Sequence, residues 1–201
     1  LTFYESQRWH SGDKRGFRLN VRRVAAAAAF ASAEHFQREN ALKAICPKEA
    51  TMRLRKRECA EQAFFDEVFG KAQELFLALN NNGCPYLIPL NFVRLGERIY
   101  LHSALEGTKL DLIRKDGRAA FSLVADVRIE REKSTTYYKS VCGTGHASVV
   151  EDAEEKRLAL DSLAERYAAR CPRPAPDANI RRVAIIRIDI ASLTGKRCLP
   201  E

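Results

Sequence analysis

No run of eighteen apolar residues occurs anywhere in this chain, so it lacks the length of hydrocarbon that a membrane-crossing helix needs. It also lacks a CxxC pair. Its six cysteines, Cys46, Cys59, Cys84, Cys142, Cys171 and Cys198, are scattered, and no Cys/His cluster stands at metal-ligand spacing, which argues against a zinc site or an iron–sulfur cluster. An even cysteine count fits disulfides in a secreted protein, but 201 residues that are 46% hydrophobic build a core without staples, and free thiols in a reducing cytosol are expected. Long basic runs are missing too. Arg53-Leu-Arg-Lys-Arg57 and Arg181-Arg182 interrupt mixed charge with no RNA-binding or helix-turn-helix signature beside them. The net charge of +8 therefore reads as solvated surface with some attraction for anionic ligands. A soluble, cytoplasmic protein with neither a specific nucleic acid nor a membrane as partner is the expectation.

What is present divides unevenly. Residues 1–51 hold the only tryptophan, Trp9, and the low-complexity run Val24-Ala-Ala-Ala-Ala-Ala-Phe30, which suits an Ala-rich helix. Arg22-Arg23 ahead of that run imitates a signal peptide weakly, because the apolar part is short and begins far from the first residue. Residues 1–51 are expected to be an extension from an upstream start, and the folded domain to cover 52–201, beginning near the sole methionine, Met52. Between Glu58 and Lys71 the positions Ala60, Phe64, Phe65, Val68 and Phe69 recur at helical spacing. Gln73–Leu79 alternates as a strand, and Asn80-Asn-Asn-Gly83 tolerates the positive φ of a hairpin turn. Pro85–Val93 reads as a strand on an edge or with a bulge, since neither Pro85 nor Pro89 can donate a ladder bond. There follow a turn at Gly96-Glu97, a strand over Arg98–Leu101, a short helix over Gly107–Lys115 and strands over Arg118–Val124 and Thr135–Val150, the last bent at Gly143 and Gly145. A helix over Ala153–Ala169 capped by Asp152, a stiff linker over Cys171–Pro176 and a strand over Val183–Ile190 complete the chain. About six strands meeting through hairpins, with few βαβ units, predict a mainly β fold, an antiparallel barrel with flanking helices.

The most informative segment is Ile99-Tyr-Leu-His-Ser-Ala-Leu-Glu-Gly-Thr-Lys-Leu-Asp-Leu-Ile113. A strand gives out at His102 and Ser103, and a helix opens on Gly107 with Lys109 in its first turn. Free backbone N–H groups and the positive end of the helix dipole favour an anion there, and glycine lets the backbone come close to it. These residues alone predict a phosphate or nucleotide site.

Three separated blocks go further. Gly83-Cys-Pro-Tyr-Leu-Ile-Pro-Leu-Asn-Phe92, His102-Ser-Ala-Leu-Glu-Gly-Thr-Lys-Leu-Asp111 and Ile188-Asp-Ile-Ala-Ser-Leu-Thr-Gly-Lys196 match, in order, the FMN-binding split barrels. From Met52 to Lys196 the chain resembles the branch of the pyridoxamine 5′-phosphate oxidase-like superfamily that contains the 5-nitroimidazole resistance (Nim-type) proteins. The resemblance implies an FMN-binding split β-barrel that forms a homodimer, with each cofactor site at the subunit interface. It implies that His102 lies close to the cofactor and is the catalytic candidate, that Ser103, Ala104, Gly107, Thr108 and Lys109 hold the phosphate, and that Asn91 and Phe92 face the flavin ring. Tyr138, Lys139 and Ser140, on a strand crossing near the cofactor, are further cofactor-binding candidates, and Lys196 of Thr194-Gly-Lys196 reaches the partner's site. The residues themselves leave other readings open: His102 bonded to backbone at a barrel rim, Lys109 on a solvated helix face, Phe92 in the core, His146 at the surface. The family's Val-Cys-Phe is replaced by Ala119-Ala120-Phe121, so any role of that thiol is absent. The implied function is two-electron transfer through FMN from a small-molecule donor such as NADH or NADPH to a small organic, nitroaromatic-type acceptor. The alternative is a non-catalytic flavin- or heme-binding module of the same fold.

Overall fold

The computed structural model describes residues 53–167 and 174–200. The expectations for residues 1–51, for Met52, for Cys46 and Cys171, for the last residues of the 153–169 helix and for the start of the Pro-rich linker lie outside them. The described residues form eight strands and four α-helices. After a 3₁₀ turn at Arg55–Arg57 come β1 (Glu58–Cys59), α1 (Gln62–Lys71), β2 (Leu75–Asn81), β3 (Cys84–Leu90), β4 (Phe92–Leu95), β5 (Arg98–Ser103), α2 (Thr108–Lys115), β6 (Arg118–Glu130), β7 (Thr135–Val149), α3 (Ala153–Tyr167), α4 (Asp177–Arg182) and β8 (Ala184–Cys198).

The strands form one antiparallel sheet in the order β3-β2-β6-β7-β8-β5-β4, with β1 added to β8. β3 and β4 sit at opposite ends of that order although only Asn91 separates them in sequence. The chain thus leaves one sheet edge at Leu90 and joins the other at Phe92. This curls the sheet into a barrel, and because β3 and β4 do not pair with each other the barrel is split. β3 is an edge strand, as Pro85 and Pro89 require, but the expected single strand over Pro85–Val93 is two strands with a kink at Asn91.

Alternation decides what fills the barrel. Leu75, Leu77, Leu79, Phe92, Ile99, Leu101, Phe121, Leu123, Val141, Ile186 and Ile188 point inward, joined by Phe64, Phe65, Val68 and Phe69 of α1 and Leu110, Leu112 and Ile113 of α2. Phe121 passes so close to β7 that a Cβ at Gly143 would stand 2.3 Å from its ring, which is why a residue without a side chain is needed there. A second cluster, Val93, Tyr100, Val150, Ala159, Leu163 and Ile185, binds α3 to the outer face of β4, β5 and β8. The Asn82-Gly83 turn has φ of 53° and 90°, as a two-residue hairpin demands, and the Gly83 N–H donates to Asn80 Oδ1 at 2.8 Å. Asp152 caps α3, accepting the Glu155 N–H at 2.7 Å.

The remaining differences among the strands share one cause. β6 runs on past a bulge at Asp126 (φ 54°), and β8 continues eight residues beyond Ile190, because long partner strands supply ladder bonds where the outward side chains carry no hydrophobic alternation. Glu58 and Cys59, expected to open a helix, instead pair with Lys196 and Gly195 of β8. α4 was not foreseen, since Pro174 and Pro176 read as linker; Pro176 is in fact its N-cap residue. Among the described residues, no helix is long and apolar enough to cross a membrane, and Cys59, Cys84, Cys142 and Cys198 are free thiols.

Candidate functional site

β5 ends with His102 facing out and Ser103 facing in, because neighbouring strand residues point to opposite faces. Ser103 is 5% exposed, and its Oγ has no hydrogen-bond partner among the described residues. A buried hydroxyl left so costs about 1–3 kcal/mol, which a bound group able to hydrogen-bond would recover. Four residues later the chain turns at Gly107, whose φ of 127° only glycine adopts without strain. The Gly107 carbonyl accepts the N–H groups of Leu110 and Asp111 at 2.9 and 3.3 Å. That leaves the Thr108 and Lys109 N–H groups, in the first turn of α2, without an intrahelical acceptor. Ala104, Gly107 and Thr108 are exposed and Lys109 is half-buried. Lys109 makes no ion pair among the described residues, whereas the nearby Asp111 carboxylate has Arg114 at 3.5 Å. This combination of a cation, free amides and an orphaned hydroxyl fits a phosphate.

On the other face of β5, His102 and Asn91 line a partly open cavity of about 210 Å³ that α3 and α4 flank. Its walls are mostly apolar, from Leu160, Leu163, Ala164 and Ala175, with Tyr167, Asp161 and Asn179 at the polar edge. The Tyr167 hydroxyl accepts the Phe92 N–H at 3.2 Å and donates to the Gln73 carbonyl at 2.8 Å, so it staples the end of α3 to the kink between β3 and β4. Beside it the Arg166 guanidinium lies 4.4 Å from the centre of the Phe92 ring and donates to the Phe69 and Ala72 carbonyls at 2.8 and 2.6 Å. Phe92 itself is fully buried, 6.0 Å edge-to-face from Phe69, and so belongs to the core. At its other end α3 is tied down by Glu155, which accepts from the Tyr100 hydroxyl at 2.7 Å and from Arg187 at 3.3 Å, with Arg98 at 3.7 Å. Burial pushes the Glu155 carboxyl up, but Tyr100, Arg187 and Arg98 together outweigh it and hold the group below its ordinary value.

The third set of sequence candidates stands apart from both. Lys139 faces α1, where it binds Glu67 and has Asp126 at 3.3 Å; Lys71 bridges the same two carboxylates at 2.7 and 2.8 Å. The hydrogen bond to Glu67 is the main reason the Lys139 ammonium is held above its ordinary value. Tyr138 and Ser140 face outward, and the Ser140 Oγ lies 3.5 Å from the Lys196 carbonyl. Lys196 and Ile185, the residue paired with His102, occupy opposite ends of β8, on the order of 35 Å of extended strand apart. The structure therefore brings together Asn91 and His102 at the cavity, keeps Ser103 to Lys109 on one turn and holds Tyr138, Lys139, Ser140 and Lys196 away from them. Between the last two residues and β3 the sheet shows an outward face without charge: Pro89, Phe76, Ser122, Cys142 and Thr194 form one row across five strands, and Leu87, Ala78, Ala120, Thr144 and Ser192 the next. Leu87 is 63% exposed there.

Sequence reasoning missed Tyr167, Asp161 and Asn179. Only the long-range staple to Phe92 and the unforeseen α4 place them at the cavity, and no local pattern marks either. Among the described residues, no group of His, Cys, Asp and Glu is arranged to hold a metal ion.

Residues 63–197 match the pyridoxamine 5′-phosphate oxidase family. No curated protein matches the chain. Among solved structures it is similar to a candidate 5-nitroimidazole antibiotic resistance protein from Bacteroides thetaiotaomicron, at 23% identity and a TM-score of 0.63 over 70% of this chain and 86% of that one. It is similar too to the flavocytochrome Anf3 from Azotobacter vinelandii, at 16% identity and a TM-score of 0.62 over 75% and 73% of the two chains. A FAD and heme binding protein from Mycobacterium smegmatis matches at 20% identity and a TM-score of 0.62 over 72% and 74%. At these identities the likeness is one of fold.

Proposed function

Because the chain belongs to the pyridoxamine 5′-phosphate oxidase family, we propose that it is a cytoplasmic FMN-binding oxidoreductase that reduces a small organic acceptor. A nitroaromatic is the acceptor class suggested by its resemblance to the nitroimidazole-resistance branch. The observation that carries the reading is the buried Ser103 hydroxyl, without a partner among the described residues, at the start of a turn that ends in free helix amides and in Lys109, which makes no ion pair among those residues. Lys109 supplies a compact positive charge for the phosphate, the Thr108 and Lys109 amides supply donors, and Gly107 and Ala104 leave room for it. Bound FMN supplies two-electron transfer at its own ring, with NADH, NADPH or another small donor as the source. The chain's part is to hold the phosphate and to present Asn91 and His102, at the mouth of the cavity, to the acceptor.

The same reading includes a homodimer with FMN at the subunit interface. Lys196, near the far end of β8, and Tyr138 and Ser140, paired with that end from β7, are too far from His102 to serve the same chain's site, so they serve the partner's, and the uncharged outward sheet face is the surface on which two copies meet. Lys139, turned inward to its carboxylates, is left to structure. Oxidation of pyridoxamine 5′-phosphate ranks lower: it needs a second phosphate seat, and among the described residues lining the cavity there is no Lys or Arg.

The test is a visible absorbance spectrum of the protein before and after adding FMN and removing the excess, followed by NADH or NADPH and then a nitroaromatic. Flavin bands that bleach with the donor and return with the acceptor are expected. A Soret band would instead favour the heme-binding alternative through the exposed His102, and flavin that binds but never turns over would make the protein a flavin module.

A further inference from the structure

The cavity behind His102 carries an electrostatic signature of its own. Both arginines on the neighbouring turns of α3 are committed elsewhere. Arg157 donates to the Ala175 carbonyl and to Asp177, and Arg166 to the Phe69 and Ala72 carbonyls. Among the described residues lining the cavity, Asp161, one turn beyond Arg157, is the one acidic or basic side chain besides His102. Its Oδ1 accepts the Ala175 N–H at 2.7 Å, which fixes the carboxylate against a buried residue of the wall. Its Oδ2 takes no hydrogen bond among the described residues. Asn91 and Asn179 add neutral polar groups, and Leu160, Leu163 and Ala164 give an apolar floor. Size narrows the occupant further. An apolar cavity of about 150 Å³ in another protein accommodates benzene, so about 210 Å³ suits one ring with a short substituent.

We infer that this cavity binds a single aromatic ring bearing a neutral or cationic N–H donor, such as an amidine, an aromatic amine or an N–H heterocycle, and that Asp161 sets the preference for that charge over a carboxylate. The ring lies on Leu160 and Ala164, and its N–H group donates to Asp161 Oδ2. As a seat for the acceptor this rests on the function proposed above; as a binding site it does not.

Benzamidine, benzamide and benzoate share one shape and differ in charge. Titrated into the full-length protein, with and without added FMN, they are followed by the methyl resonances of Leu160, Leu163 and Ala164. Benzamidine should bind at least about tenfold more tightly than benzoate, with benzamide between them, as one fixed carboxylate in a partly enclosed site predicts. Asp161→Asn keeps an acceptor for the Ala175 N–H but loses the charge, and should bring the benzamidine-to-benzoate ratio close to one. Ala164→Leu, which fills the floor, should weaken all three. The inference is overturned if benzoate binds as well as benzamidine, if the ratio survives Asp161→Asn, if Ala164→Leu changes nothing or if none of the probes shifts these methyls. Flavin absorbance recorded on the same samples keeps the two proposals separate: charge preference without FMN binding sinks only the flavin reading, and FMN binding without charge preference sinks only this one.

Discussion

Around Lys139, where α1 caps the barrel, two ammonium groups and two carboxylates alternate so that each charge has an opposite neighbour: Lys139 and Lys71 against Glu67 and Asp126. Around Lys109, at the opposite end of the barrel where α2 begins, a cation, free amides and a buried hydroxyl stand together, and Lys109 makes no ion pair among the described residues, the nearby Asp111 being paired with Arg114. Both lysines lie in segments that resemble cofactor-binding motifs, and their surroundings give them different tasks. Charges that satisfy one another hold the fold. On the proposed reading, the groups at the start of α2 are the ones a ligand would engage, and of them the buried Ser103 hydroxyl is the one whose cost folding has not recovered.

The largest effect that would break this comparison is on cofactor affinity. Lys109→Ala should weaken FMN binding by roughly 1.5 to 3 kcal/mol, about tenfold to a hundredfold in Kd, with little change in the Tm of the unliganded protein. Lys139→Ala should do the reverse, leaving FMN affinity nearly unchanged while lowering Tm. Fluorescence titration and thermal melts on both variants check the pair, and an equal loss of FMN affinity in both would erase the distinction.

A second effect concerns the charged anchor of α3, which shapes the cavity. Glu155→Gln should cost about 1 to 3 kcal/mol at neutral pH, because it weakens charge-assisted bonds to Tyr100, Arg187 and Arg98 in a half-buried setting. The carboxyl sits below its ordinary value in the folded protein, so its contribution is complete above the unfolded carboxylate range and fades as pH falls through the folded value. Denaturant unfolding from neutral pH into acid should therefore show wild type and Glu155→Gln converging, and a gap that widens in acid would refute the assignment.

A smaller effect sharpens the contrast. Ser103→Ala removes a buried hydroxyl with no partner, so the unliganded protein should gain about 1 kcal/mol while FMN binds a few-fold more weakly. Opposite signs from one substitution are what separate a ligand group from a packing residue. Urea unfolding without FMN reads the first sign, and titration with FMN the second. His102→Ala should leave FMN bound and slow turnover; full turnover would make His102 scaffold at the rim.

Legibility in the sequence followed how local each determinant is. The Asn82-Gly83 turn, the Asp152 cap and the Ile99-to-Ile113 strand, turn and helix are written in neighbouring residues, and they appear where expected. The kink at Asn91 was not legible, because closing the barrel depends on which distant strands Leu90 and Phe92 join. The later half of β8 was missed for the same reason: Ser192, Thr194 and Lys196 face outward, so the hydrophobic alternation fades although β7 still pairs with them. The opposite faces of His102 and Ser103 follow from strand alternation alone. The cavity on the His102 side does not, since it depends on Tyr167 and Asp161 reaching across from a helix some sixty residues later.

The central claim is that the β5 to α2 turn is a phosphate seat, and comparing FMN with riboflavin tests it most directly, since the two differ only in the phosphate. Flavin fluorescence titrations of wild type and Lys109→Ala should show FMN at least about tenfold tighter than riboflavin in the wild type and the preference nearly abolished in the variant. Equal affinity for the two flavins in the wild type, or a phosphate preference that Lys109→Ala leaves intact, would contradict the account.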